Sequence, residues 1–185
     1  MNSRSFLALL ALSLLLVPTK NLPAEIKAPK GFTSLFNGKD LSNWYGWSTK
    51  NPEDLRKMSA AEQKAYKAKS REDIAKHWTI KGDVIVNDGH GLYLTTEREF
   101  SDYELLIDYK TVPKADSGIY LKGAPQVQIW DFTDPSKFGI GADKGSGGLW
   151  NNSKGAKGKD PLVLADKKLG KWNSFRIRQV GGRTS

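Results

Sequence analysis

Residues 102–131 read DYELLIDYKTVPKADSGIYLKGAPQVQIWD, and their period of two decides the fold class. In Tyr103–Lys110 the residues Tyr103, Leu105, Ile107 and Tyr109 fall on one side, and Glu104, Leu106, Asp108 and Lys110 on the other. GIYLKG (118–123) and PQVQIWD (125–131) repeat the alternation. Ile119, Leu121, Val127 and Ile129 form a core side, opposite Tyr120, Lys122, Gln126, Gln128 and Trp130. Three short strands joined by turns predict an antiparallel sheet with one apolar face and one polar, aromatic-bearing face.

The same pattern extends in both directions. WNSFRIRQV (172–180) alternates with Phe175 and Ile177 inward and runs into a turn signal at Gly181-Gly182-Arg183. Residues 133–171, rich in Gly, Lys, Asp and Asn, read as long loops around GGLWNN. Upstream, residues 77–97 (HWTIKGDVIVNDGHGLYLTTE) predict two short strands about a tight turn at Asn87–Gly91. Residues 31–47 (GFTSLFNGKDLSNWYGW) predict a short strand, a turn at Asn37–Asp40 and an aromatic-rich strand. Between these lies a helical insertion over about 52–76. Asn51-Pro52-Glu53-Asp54 is a cap with a first-turn proline, Ser59-Ala60-Ala61-Glu62 a capping box and Ser70-Arg71-Glu72-Asp73 a weaker start, so two or three short helices are expected. The prediction is an all-β antiparallel sandwich with a short helical insertion.

Composition narrows the chemistry. With 185 residues, 38% hydrophobic and 10% aromatic, the chain holds one packed domain and is not disordered. The absence of Cys excludes disulfides, thiolate metal sites and thiol nucleophiles. Only His77 and His90 are present, so any metal would need mainly oxygen ligands. The net charge of +9 is spread over loops and helices with no Arg-rich aromatic stripe, which reads as solvated surface and not as a nucleic-acid footprint. Residues 1–24 carry Arg4, an apolar run from Phe6 to Val17 and Pro23-Ala24. They are expected to be a signal peptide cleaved after Ala24, too short to be a stable membrane anchor. The mature domain, 25–185, is expected in the periplasm or secreted.

FTSLFNGKDLSNW (32–44), DYELLIDYKTVPKADSGIYLKGAPQVQIWD (102–131), GSGGLWNN (145–152) and LGKWNSFRIRQVGGR (169–183) together resemble the 3-keto-disaccharide hydrolase family over nearly all of residues 31–183. The resemblance implies a concanavalin A-like jelly-roll sandwich with a carbohydrate site on its concave face. It departs from the family at Gln126, where many members carry an acid, so no carboxylate role passes to that position. Members also continue for some tens of residues, so the resemblance implies a chain truncated at its C-terminus by a strand or two.

For a 3-keto sugar the ketone acidifies the C2 proton, so a base can remove it while the C1 substituent leaves, and water then adds. Such a reaction needs a base, a cation for the enolate oxygen and an acid for the leaving oxygen. His90 and Asp108 are the base candidates, with Lys110 and Lys122 to meet the negative charge. Asp116 and Asp131 are candidates for acid or metal ligand, and Asp88, His90 and Asp131 for a divalent ion, should the reaction use one. Trp130, Trp150 and Tyr120 offer flat surfaces to a sugar, and Gln126, Gln128, Asn151 and Asp116 hydrogen bonds to its hydroxyls. The bland readings are turn-forming roles for Asp88 and Asp116, a cross-strand ion pair for Asp108 and Lys110, and packing for His77. A non-catalytic carbohydrate-binding module is the alternative function, and a protein-binding scaffold a third. The catalytic reading requires Lys110, Lys122, Gln128 and Trp130 to share one trough.

Overall fold

The computed structural model describes residues 28–185; the expected signal peptide and its cleavage point lie outside the described residues. Strand outweighs helix, 29% against 20%, and the strands form small antiparallel sheets, giving an all-β, jelly-roll-like fold with a helical insertion. In chain order the elements are β1 (Trp44–Trp47), α1 (Pro52–Arg56), α2 (Ala60–His77), β2 (Trp78–Lys81), β3 (Val84–Asn87), β4 (Tyr93–Thr96), β5 (Tyr103–Lys110), β6 (Asp116–Tyr120), β7 (Gln126–Trp130), β8 (Trp172–Val180) and β9 (Arg183–Thr184). Two short 3₁₀ helices, Pro135–Ile140 and Ala142–Lys144, interrupt the long loop before β8.

Two layers position the site. β5 pairs with β8 along its whole length, from Tyr103↔Gln179 to Lys110↔Trp172, and β9 adds to β8. β6 pairs with β7, and residues 147–150 join β7 as a third row through Gln128 N–H to Gly148 O, Gly147 N–H to Gln128 O and Trp150 N–H to Gln126 O, each 2.9 Å. The alternation read from the sequence places the core between these layers. Leu121, Val127 and Ile177 are buried there, flanked by Tyr103, Leu105, Ile119, Leu149 and Phe175. Each fully buried aliphatic side chain contributes about 1.5–3 kcal/mol.

A second core lies under the insertion. Tyr45, Trp47 and Leu55 pack with Met58 and Tyr66, and Ile74 of α2 is buried to 2% exposure. The α1 cap forms as expected, Asn51 Oδ1 accepting from Glu53 N–H at 3.0 Å, and Ser59 and Glu62 make the reciprocal capping box. The insertion is two helices, with α2 running unbroken through Ser70. Ser70 starts no helix because its buried hydroxyl is already engaged, donating to Lys67 O and accepting from Gly46 N–H.

Two strand expectations are corrected. Residues 32–36 form no strand; the chain instead folds onto Asn37, whose Oδ1 accepts from the N–H groups of Lys39 and Asp40, so the polar backbone is satisfied without a ladder. Residues 78–96 carry three strands. β2 and β3 form a hairpin about Gly82, and β4 leaves to pair with β1, Trp44 opposite Thr96. Asn87–Gly91 is therefore a corner between sheets, pinned by Asn87 Nδ2 donating to His77 O and His90 O.

Candidate functional site

Directly opposed residues of an antiparallel pair point to the same face. The register Asp116↔Trp130, Gly118↔Gln128 and Tyr120↔Gln126 therefore puts Asp116 and Tyr120 on one face with Gln126, Gln128 and Trp130, away from the interlayer core. The inward bridge Val127↔Leu149 sends Trp150 to the same outer face. Contacts bear this out. Gln128 Nε2 donates to Asp116 Oδ1 at 3.0 Å, the Trp130 and Trp150 rings meet edge to face at 5.7 Å, and the side chain of Gln126 lies over Gly118, where a Cβ would stand 2.3 Å from its Nε2. Gly118 is thus the opening through which Gln126 crosses the sheet face.

The face has a floor and a rim. Gln128 and Trp130, expected to be open, are each only 4% exposed, because Trp150 covers Trp130 and Asp116 holds Gln128. The accessible aromatics are Trp150 and a stacked pair that the sequence did not announce, Tyr93 of β4 on Tyr120 at 5.8 Å and 17°. Two lysines from the long loop close on the face: Lys137 Nζ donates to Asp116 Oδ2 at 2.6 Å, and Lys159 Nζ lies 4.2 Å from the Trp150 centroid. The Asp116 carboxylate holds the Lys137 ammonium above its usual range, and burial together with Tyr93 pushes the Tyr120 phenol up. Lys137, Lys159 and Tyr93 escaped sequence reading because two come from an irregular loop and the third from another sheet. Asn151 sits at the edge, its Oδ1 accepting from Gln126 N–H at 2.8 Å, beside a cleft of about 390 Å³ lined also by Pro125, Leu149, Asn152 and Thr184.

The remaining sequence candidates lie elsewhere. Asp108 and Lys110 occupy the outward face of β5, on the far side of the sandwich. Asp108 accepts from Ser174 Oγ, and Lys110 Nζ rests 4.9 Å over Trp172. Lys122 turns to the end of the other layer, donating to Gly181 O at 3.2 Å and lying 3.7 Å from Asp102. The four residues required to share one trough do not: Gln128 and Trp130 adjoin, while the two lysines are apart from them and from each other. Asp131 is buried below the face and fully committed, accepting from Lys114 N–H, Thr133 N–H and Thr133 Oγ1. Burial raises its carboxyl, but these three bonds outweigh it and hold the group below its ordinary range.

The corner before β4 carries a second group of titratable residues. His77 Nδ1 lies 3.0 Å from Asp88 Oδ2, His90 N–H donates to Asp88 Oδ1, and the two imidazoles are 6.1 Å apart. Hydrogen bonding from His77 lowers the Asp88 carboxyl. His77, read as packing, is thus the carboxylate-linked histidine; its ring also lies against Gly91, where a Cβ would come within 2.5 Å. Among the described residues no three His, Asp or Glu side chains are grouped to hold a metal ion, so Asp88, His90 and Asp131 do not form a metal site.

A β-sandwich with indoles, phenols and carboxamides gathered on one strand face has the groups that recognise sugars. Residues 31–185 match the family model of the 3-keto-alpha-glucoside-1,2-lyase-like domain, and the chain belongs to that family. The family is one of glycoside-processing, lyase- or hydrolase-like proteins. No curated protein and no solved structure matches the chain. No helix among the described residues is long and apolar enough to cross a membrane.

Proposed function

We propose that this protein cleaves 3-keto-glycosides on the outer face of β6–β7. The observation that carries the proposal is the carboxylate of Asp116 on that face, set between Lys137 and Gln128 and sharing the face with Tyr120, Gln126 and Trp150. A sugar ring lies along Trp150 and Tyr120, with Gln126 reading its hydroxyls. Asp116 takes the C2 proton, the C2–H electrons form a C1=C2 bond as the C1–O bond breaks, and the Lys137 ammonium meets charge building on the ketone oxygen. The leaving oxygen takes up a proton, and water adds across C1=C2, its oxygen to C1 and a proton to C2, completing net hydrolysis.

Incubation with a 3-keto-disaccharide and with its unoxidised parent tests this reading. Monosaccharide release is expected from the keto form alone, with Asp116→Asn lowering kcat about 100-fold or more and Asp108→Asn leaving it unchanged. Gly118→Ala displaces Gln126 and is expected to raise KM with the fold retained. Cleavage of the parent sugar at an equal rate, or full activity in Asp116→Asn, refutes the proposal. A carbohydrate-binding module is favoured by two facts, the amide at Gln126 and the close pairing of Asp116; binding of either sugar without turnover establishes it. Export is part of the proposal, supported by the composition of residues 1–24. Recovery of the intact N-terminus from the cytoplasm alone opposes it.

A further inference from the structure

The long loop before β8 presents an apolar tip with lysines on both of its sequence flanks. Leu162, Val163 and Leu164 are 101%, 69% and 52% exposed among the described residues. Three adjacent aliphatic side chains turned to water are unusual on a protein surface. They are held there. Asp160 is gripped by Lys144 at 2.5 Å, Asp166 accepts from Ser146 N–H and Ser146 Oγ, and Lys167 N–H donates to Asn173 Oδ1. The C-terminal end of Pro161–Ala165 is thereby tied through Ser146 and Asn173 to β7 and β8, and its N-terminal end to the second 3₁₀ helix, while the tip projects.

The flanking sequence is rich in lysine, which outnumbers Asp160 and Asp166 there. Lys157, Lys167, Lys168 and Lys171 are exposed and form no salt bridge among the described residues. Trp172 follows directly, 41% exposed with Lys110 over its ring. We propose that this loop docks the protein on an anionic lipid bilayer, the tip entering the headgroup layer and the lysines lying on lipid phosphates. Charge complementarity and the form of the cations favour that occupant. Residues 133–175 contain no Arg, the side chain suited to paired, directional phosphate contacts, whereas Lys suits a diffuse negative surface. A nucleic acid would use the lysines but not the aliphatic tip; a bilayer uses both, with an indole at the interface.

Flotation of the whole protein with vesicles tests the proposal. Phosphatidylcholine vesicles containing about one third phosphatidylglycerol are expected to retain it at roughly 0.1 M salt, and to bind about tenfold more tightly than pure phosphatidylcholine. The exposed triple variant Leu162→Ser, Val163→Ser, Leu164→Ser should keep the wild-type melting profile and lose about tenfold or more of the vesicle affinity. Changing Lys157, Lys167, Lys168 and Lys171 to Gln should abolish the preference for anionic vesicles. No retention by anionic vesicles, unchanged retention of the triple-serine variant, or dimerisation through the loop in place of vesicle binding would each overturn it.

Discussion

Asp116 opens β6 and Asp131 follows the last residue of β7, at the same end of the antiparallel pair, and their surroundings assign them different work. Asp131 accepts three hydrogen bonds in a buried loop junction that also holds Lys114 at a positive φ of 65°. Its lowered carboxyl means that the folded state binds the proton less readily than the unfolded chain. The stability it contributes is therefore present above the unfolded pKa, near 4, and is lost as pH falls through the lower folded value. Asp131→Asn sets an amide N–H₂ against backbone donors and is expected to cost about 2 kcal/mol at neutral pH, or roughly 4–8 °C in Tm. Its melting temperature should also depend less on pH between about 5 and 2 than the wild type's; parallel curves would remove Asp131 from the acid response. Sequence alone ranked both aspartates as acid or metal ligands, because an Asp beside a strand end reads the same whether its lone pairs are free or taken. The distinction lies in Lys114 and Thr133 for one and Lys137 and Gln128 for the other, partners that strand periodicity does not specify.

Helix α2 shows where local signals suffice. Its polar composition supplies little apolar face, so its position depends on Ile74, on the buried Ser70 hydroxyl and on Lys67 and Arg71, which both bind Glu97 beyond β4. The capping box was legible because it is written in four consecutive residues. Ser59→Ala is expected to destabilise the protein by about 1 kcal/mol and to speed amide exchange in the first turn of α2 while Ile74 stays protected; an unchanged exchange pattern would show that the cap contributes nothing there. Ser70 looked like a start for the same local reason, and tertiary contact with Gly46 overrode it. The corner at Asn87–Gly91 was likewise read correctly as a turn and wrongly as a hairpin. Turn residues fix a change of direction, whereas the partner of β4 is decided by β1, more than forty residues earlier.

At the scale of the whole molecule, alternation predicted which side chains turn inward, and it holds for Leu105, Ile119, Leu121, Val127, Phe175 and Ile177. Ile177→Ala, at the centre of the interlayer core, is expected to cost about 2–5 kcal/mol. Chemical denaturation should show an earlier midpoint with near-native slope, and a midpoint within error of wild type would place the core elsewhere. Alternation could not tell which outer face belongs to which layer. It grouped Asp108, Lys110 and Lys122 with Gln128 and Trp130 because all fall on polar positions of the alternation, yet Asp108 and Lys110 lie on the other outer face, which only layer order separates, and Lys122 lies beyond β6 in a turn at a φ of 52°. The candidate site is assembled from β4, β6, β7 and a loop, so no single stretch of sequence contains it.

One serine joins the projecting loop to that surface. Ser146 Oγ accepts from the main-chain N–H of Trp130 at 3.0 Å and donates a hydrogen bond to Asp166, at the base of the aliphatic tip. Force applied to the loop therefore reaches the floor under the indoles through two hydrogen bonds. A molecule seated by its tip would brace β7 at the same time, so that anchorage and the shape of the proposed site are mechanically one property.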